Sequence, residues 1–537
     1  MLNQRARILP PYTRRVDDTR HLLSKVVVVA TLVVFAMMMG FFIAIFGLRG
    51  WFIPAIPIVA MFAVALWMAP DIDPHFDKGI KRGFFLFMVV SLIWPKYIAL
   101  NLPGVPWISL ERLVMFVLLT IALLQIATSL RMRTEIADIL KSHQLIMRMF
   151  LGWIVLHLLM SAASGFSNIS RDINDHIMWH LPFLLSAWIM SQPGNSEKFL
   201  KLMLIFALVI AAVVIPEVRM GKPMWTDYIP PYLLAEEFYN SIIADGAQRF
   251  GEYRAKSVFS VTVAFAEFIG MAGPFVLFAI FHAKTWWRAG LGAALFALLF
   301  TAAWYTNSRT ALAVFVVAIP AFMLMWAVRR YRIEARNNDL LGTAVLWAYP
   351  AFAAFVAAAV LLVPRIRVRV LGGSGTQNSN DARSAQWDMA IPQIIKNPLG
   401  YGSGTVSERV PYTNLGGHFT IDAYPINLLI EYGVLGFLLF AGFFITAVWV
   451  GARCYLKADN REDMVAGAAA LAILSFLVSR TILSSEGGVA LAFVLAGLII
   501  ATYWRQKQRA PTSLPKVQVS PAYPFPPRQI GRPAQQL

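Results

Sequence analysis

The sequence predicts an all-α polytopic membrane protein with about 14 transmembrane helices and a large extracytoplasmic loop between the eleventh and twelfth. Three observations predict it. The 537 residues are 58% hydrophobic and only 14% charged, a balance that a water-soluble surface of this size cannot carry. The charges avoid long apolar runs, and Lys and Arg recur in alternate loops.

The first run, Val26 to Gly47, carries no charge for about 22 positions, enough at 1.5 Å rise per residue to cross a hydrocarbon core of roughly 30 Å. A cleaved signal peptide fits it poorly. About 25 polar, arginine-rich residues precede the run, and no small-x-small cleavage site stands before Trp51. Further spans start near residues 51, 84, 113, 145, 177, 197, 257, 288, 310, 342, 425, 464 and 486, those near 51, 177 and 288 being short or interrupted. The organisation that follows is a cytoplasmic segment 1–25, a membrane domain 26–504 and a disordered, proline-rich cytoplasmic tail 505–537.

Orientation follows from the basic loops. Lys78, Lys81 and Arg82; Arg131, Arg133 and Lys141; Arg329, Arg330, Arg332 and Arg336; and Arg453, Lys457 and Arg461 share one side with both basic termini, which the positive-inside rule makes cytoplasmic. Loops 216–256 and 364–424 then lie outside and are too long to be mere turns. The second carries Arg365, Arg367, Arg369, Arg383 and Arg409; long loops translocate largely regardless of charge, so an anionic substrate is one reason for their presence. The net charge of +18 therefore reflects sidedness, not nucleic-acid binding. A single cysteine, Cys454, excludes an intramolecular disulfide and a cysteine-based zinc cluster.

Ionisable residues within spans are costly and often functional; here they are Lys96, His157, His180, Glu267, Arg309, Glu431 and Arg480. Lys96 and Arg480 sit where they can snorkel from span ends. His176 and His180 lack the glutamate of a zinc-protease helix and read as structural. No clustered Asp, His or Cys set in the outer loops matches a recognisable metal site, and no Walker or Rossmann fingerprint is present, so neither metal nor cofactor is expected.

Three constellations are sharper. Asn307-Ser308-Arg309-Thr310 opens an apolar helix at the outer boundary, where a guanidinium beside free N–H groups makes a cradle for phosphate, or a simple interfacial anchor. Arg383 and Trp387 share one face of a short helix, followed by Asn397-Pro398-Leu399-Gly400-Tyr401-Gly402-Ser403-Gly404, whose glycines allow a tight turn. Asp422 precedes the helix containing Glu431-Tyr432-Gly433-Val434-Leu435-Gly436, with His418 four residues upstream; either is a candidate general base, and Asp422 is equally a candidate helix cap.

In this order and spacing, Ser-Arg-small at a helix start, Arg-x-x-x-Trp, Asn-Pro-Leu-Gly-x-Gly, and a polar residue nine before Glu-x-Gly-x-x-Gly resemble the O-antigen ligase and O-antigen polymerase superfamily. The resemblance implies a bacterial inner-membrane, metal-independent glycosyltransferase with a periplasmic site, using a polyprenyl-pyrophosphate-linked glycan donor and a glycan acceptor. It implies that Arg309 and Arg383 grip the donor pyrophosphate. The family's ligases carry histidine where Asp422 stands, which favours a polymerase of exopolysaccharide or O-antigen repeats over a ligase acting on lipid A core. Apart from the bilayer, the expected protein partner is a chain-length regulator. A flippase-like transporter is the competing class; against it, no two halves share a pattern and the arginines cluster in one outer loop.

Overall fold

A computed structural model describes residues 76–509, except 96, 101–107, 165–171, 234–247, 250–251, 335–339, 365–366, 368–376, 414–418 and 484–486. The predicted spans near 26 and 51, the 1–25 segment, Lys96, most of the proline-rich tail and His418 lie outside the described residues.

Among the described residues the apolar runs form helices. In a bilayer every backbone N–H and C=O needs an internal partner, and a helix supplies them within one segment. The elements are α1 (Asp77–Ile93), α2 (Leu110–Thr128), α3 (Leu130–Lys141), α4 (Gln144–Ala163), α5 (Leu181–Ser191), α6 (Asn195–Met220), α7 (Thr262–Phe281), α8 (Trp286–Tyr305), α9 (Arg309–Glu334) and α10 (Leu340–Leu362). They continue as α11 (Gln377–Lys396), α12 (Val406–Arg409), α13 (Tyr424–Glu431), α14 (Gly433–Lys457), α15 (Arg461–Arg480) and α16 (Val489–Arg509). Among the described residues nine helices are long and apolar enough to cross a membrane: α2, α4, α6 to α9 and α14 to α16.

Four local readings change. The basic loop with Arg131 and Arg133 folds as α3; Ser129 Oγ accepts from Met132 N (3.2 Å), and Arg133 donates to Ala127 O (2.6 Å), so the polar residues cap two helix ends. The weak span near 177 begins with a π turn, His176–His180, before α5. The span read from 425 breaks into α13 and α14 at Tyr432, because Gly433 takes φ +67°. Residues 505–509, read as the start of the tail, belong to α16, where Arg505 and Arg509 both pair with Asp463.

The core is built from α7, α15 and α16, whose apolar stretches are 83, 72 and 78% buried, whereas α2 and α8 bury only 22% each and face outward. Helices in lipid gain no hydrophobic drive from meeting each other, so close packing depends on small residues and interhelical hydrogen bonds. A Cβ on Gly270 would come within 2.2 Å of Val314, bringing α7 against α9, and one on Gly497 within 2.6 Å of Phe183 O, bringing α16 against α5. Ser186 Oγ also donates to Val494 O across that second contact (2.7 Å).

Candidate functional site

The helices α7, α9 and α15 pack on one another, and α9 also packs on α14. The turn before α9 is tight: Asn307 adopts φ +47°, a left-handed conformation in which asparagine is the least strained residue after glycine. Arg309 begins α9, between the buried Ser308 and Thr310. Against this turn lies a strap from Tyr253 to Ser257. Ala255 N donates to Tyr305 O (3.0 Å), and Arg254 Nε donates to Thr306 O (3.2 Å).

The fully buried Glu217 carboxylate pins the strap, accepting from Lys256 N (3.0 Å), Ser257 N (2.8 Å) and Tyr253 OH (2.8 Å). Burial pushes the Lys256 ammonium pKa down, and the Glu217 carboxylate draws it partly back. The sequence reading missed Glu217, Arg254 and Lys256. They lie in a long loop or at a helix end, and nothing in their spacing marks the carboxylate that gathers them.

The second constellation folds as α11, a 20-residue helix that fills part of the predicted loop 364–424. Arg383 and Trp387 stand one turn apart on it, as expected. Arg383 Nε lies 4.0 Å from Asp422 Oδ2, and this nitrogen is buried without a hydrogen-bond partner. Gln386, fully buried one turn along, accepts from Asp422 N (3.0 Å) and donates to Thr420 O (3.4 Å). A small apolar core of Ala390, Val410, Ile421, Ala423, Ile426 and Ile430 holds α11 to α13.

Asp422 is not the helix cap. Ala423 occupies the N-cap of α13, and no side chain makes the capping bond. The carboxyl is left facing Arg383. Burial raises its pKa above the ordinary carboxylate value, while the Arg383 charge and the Thr420 hydrogen bond oppose that rise.

The glycine run is a docked loop. Tyr401 N donates to Ile430 O (2.8 Å), Gly402 N to Glu431 O (3.0 Å), Gly404 N to Glu431 Oε1 (2.9 Å) and Val434 N to Pro398 O (2.9 Å). The loop and the α13–α14 break touch backbone to backbone: a Cβ on Gly433 would lie 2.3 Å from Pro398 O, and one on Gly400 2.6 Å from Gly433 N. Gly433→Ala is therefore expected to destabilise by at least about 1–2 kcal/mol, the left-handed cost alone for an L-residue. Gly79→Ala, with open space around it, should not. Melting temperatures of the detergent-purified variants check this, and an unchanged value for Gly433→Ala would refute the docking.

A buried polar brace ties this loop to α4. Ser403 Oγ donates to Asp172 Oδ1 (2.9 Å), Ser161 Oγ donates to Asp172 Oδ2, and Tyr432 OH reaches Ser403 Oγ (3.3 Å). His157 Nε2 lies 3.6 Å from Asp172 Oδ1, its ring stacked on Trp153 and beside His176. His157, Asp172 and Asp175 offer ligand atoms within 4.8 Å of one another, a set that the sequence did not reveal because His157 is separated from the acids by the end of α4. Both Asp172 oxygens already accept hydroxyl hydrogens, and in this arrangement the set braces the loop.

Arg480 does not snorkel. Its Nη2 pairs with Glu267 Oε2 at 3.0 Å, both side chains buried, and Ser479 Oγ donates to Glu267 Oε1 (2.8 Å). Its guanidinium sits 5.1 Å from the centre of the Tyr424 ring, two residues beyond Asp422. The structure thus joins Arg383 to Asp422 directly; Arg309 begins α9, which packs on α15, and the last residue of α15, Arg480, lies over the Tyr424 ring.

A family model described as O-Antigen ligase matches residues 294–441, from within α8 to the first turns of α14. This stretch contains all three constellations. No curated protein matches the chain.

Proposed function

Because a family model described as O-Antigen ligase matches residues 294–441, we propose that this chain is a member of the O-antigen ligase and polymerase superfamily and polymerises polyprenyl-pyrophosphate-linked oligosaccharide repeat units at the periplasmic face of the bacterial inner membrane, with both termini cytoplasmic. The observation that carries the reading is the Arg383–Asp422 pair: a guanidinium for a departing pyrophosphate beside a carboxyl whose pKa is raised. An acceptor hydroxyl oxygen attacks the anomeric carbon of the donor sugar, and the bond from that carbon to the pyrophosphate oxygen breaks with inversion. The hydroxyl proton passes to Asp422, and the lipid pyrophosphate leaves with the bonding pair. Arg383 and Arg309 stabilise the negative charge that builds on it, in a site where Arg383 Nε has no competing hydrogen bond. His418 is the alternative base.

In this mechanism the arginines neutralise the charge that a divalent cation neutralises in other phosphate chemistry, so no metal is needed. Purified protein in detergent, given lipid-linked repeat units and EDTA, is expected to produce a ladder of longer lipid-linked glycans on gels. A strict requirement for magnesium or manganese would overturn the metal-independent route. The description of the matched family favours a second reading, transfer of a finished glycan to lipid A core. Adding that acceptor separates the two: product only when core is present would make the protein a ligase. A chain-length regulator is the expected protein partner of the polymerase.

A further inference from the structure

A cavity of about 260 Å³ opens among α6, the C-terminal end of α7, α8 and the first residue of α15. Its walls include Leu204, Leu291 and Leu295, and its rim carries three cations, Lys284, Arg288 and Arg461. The depth of the cavity is set by α8. Trp286 and Trp287, on the first turn, are 87 and 48% exposed, the pattern of aromatic residues at headgroup level. Leu295 lies nine residues further along the helix, about 13 Å into the acyl region at 1.5 Å per residue.

The rim cations are not neutralised from within. Among the described residues none of the three has an ion-pair partner, and Arg461 Nε is buried without a hydrogen bond. Of the acids near Arg461 in sequence, Asp459 forms no ion pair with it among the described residues, and the other two are committed elsewhere. Glu462 accepts from Gly194 N (2.9 Å) and Ser196 N (3.3 Å), and Asp463 pairs with Arg505 (2.9 Å) and Arg509 (2.6 Å). Three positive charges around an apolar slot that starts at headgroup depth match a lipid with an anionic head and an acyl tail.

We propose that this cavity binds an anionic phospholipid of the surrounding leaflet, its phosphate held by Lys284, Arg288 and Arg461 and one acyl chain laid along Leu204, Leu291 and Leu295. The charge complementarity selects against phosphatidylethanolamine, whose ammonium faces the same cations. The site is separate from the Arg383–Asp422 pair and does not depend on the reaction assigned to it.

Native mass spectrometry of the delipidated full-length protein, incubated with phosphatidylglycerol or phosphatidylethanolamine, tests the site. Wild type is expected to retain phosphatidylglycerol and to carry several-fold less phosphatidylethanolamine. Arg288→Gln combined with Arg461→Gln should lower phosphatidylglycerol occupancy on the order of tenfold. Leu291→Trp keeps every charge and fills the slot; it should lose the lipid as well, and it decides the matter if the double variant does not fold. Equal occupancy by the two lipids in wild type, undiminished phosphatidylglycerol in Leu291→Trp, or equal competition by deacylated glycerophosphoglycerol would overturn the proposal.

Discussion

Asp422→Asn is expected to lower polymer formation by roughly 10²- to 10⁴-fold, the usual contribution of a positioned general base, with protein abundance unchanged. The substitution is nearly isosteric and leaves the backbone bond from Asp422 N to Gln386 intact, so a fold defect is not expected. Because Ala423 is the N-cap, loss of a helix cap does not compete as an explanation. The wild-type rate should rise with pH through the Asp422 titration, with its midpoint above the ordinary carboxylate value, since burial favours the protonated form and only the deprotonated form accepts a proton. Initial rates of repeat-unit coupling across pH, for wild type and Asp422→Asn, check both the size and the sign. Near-normal polymer in Asp422→Asn together with loss in His418→Ala would transfer the base to His418.

The second large effect is at Arg383. Lysine keeps the charge and loses the planar fork, so a bidentate hold on pyrophosphate in the transition state predicts a fall in the coupling rate of roughly 10²- to 10³-fold. Arg383→Gln removes the charge that holds the Asp422 pKa down, so the midpoint of its residual activity should move to higher pH, whereas Arg383→Lys should leave the midpoint close to that of wild type. The paired comparison distinguishes a substrate contact from a purely electrostatic neighbour. Wild-type rates in Arg383→Lys would remove the bidentate contact from the mechanism, and an unmoved midpoint in Arg383→Gln would uncouple the pair.

Much of the site was legible because its residues stand at spacings that local geometry interprets. Arg383 and Trp387 are one helical turn apart, and the helix containing them formed. Arg309 begins its apolar helix as read. The glycine run was legible as a turn but not as a docked one, since the need for glycine at 433 comes from Pro398 O, 35 positions earlier in the chain. The pinning of the Arg254 strap by Glu217, the Asp172 to Ser403 bond and the Glu267–Arg480 pair were invisible for the same reason: each joins residues from different helices or loops.

By itself the sequence determined the helical membrane class, the apolar runs that form the long helices among the described residues, and the motifs, which fall within the stretch matched by the O-Antigen ligase family model. The physical reason is that a bilayer forces each spanning segment to satisfy its own backbone hydrogen bonds, which writes length and apolarity into the local sequence. Tertiary structure alone decided which polar side chains meet: the Arg383–Asp422 pair, the brace through Asp172, the buried Arg480 and the break at Tyr432–Gly433. Lateral association in lipid has little hydrophobic drive and depends on small residues and specific hydrogen bonds between distant positions, so no single stretch of sequence records it.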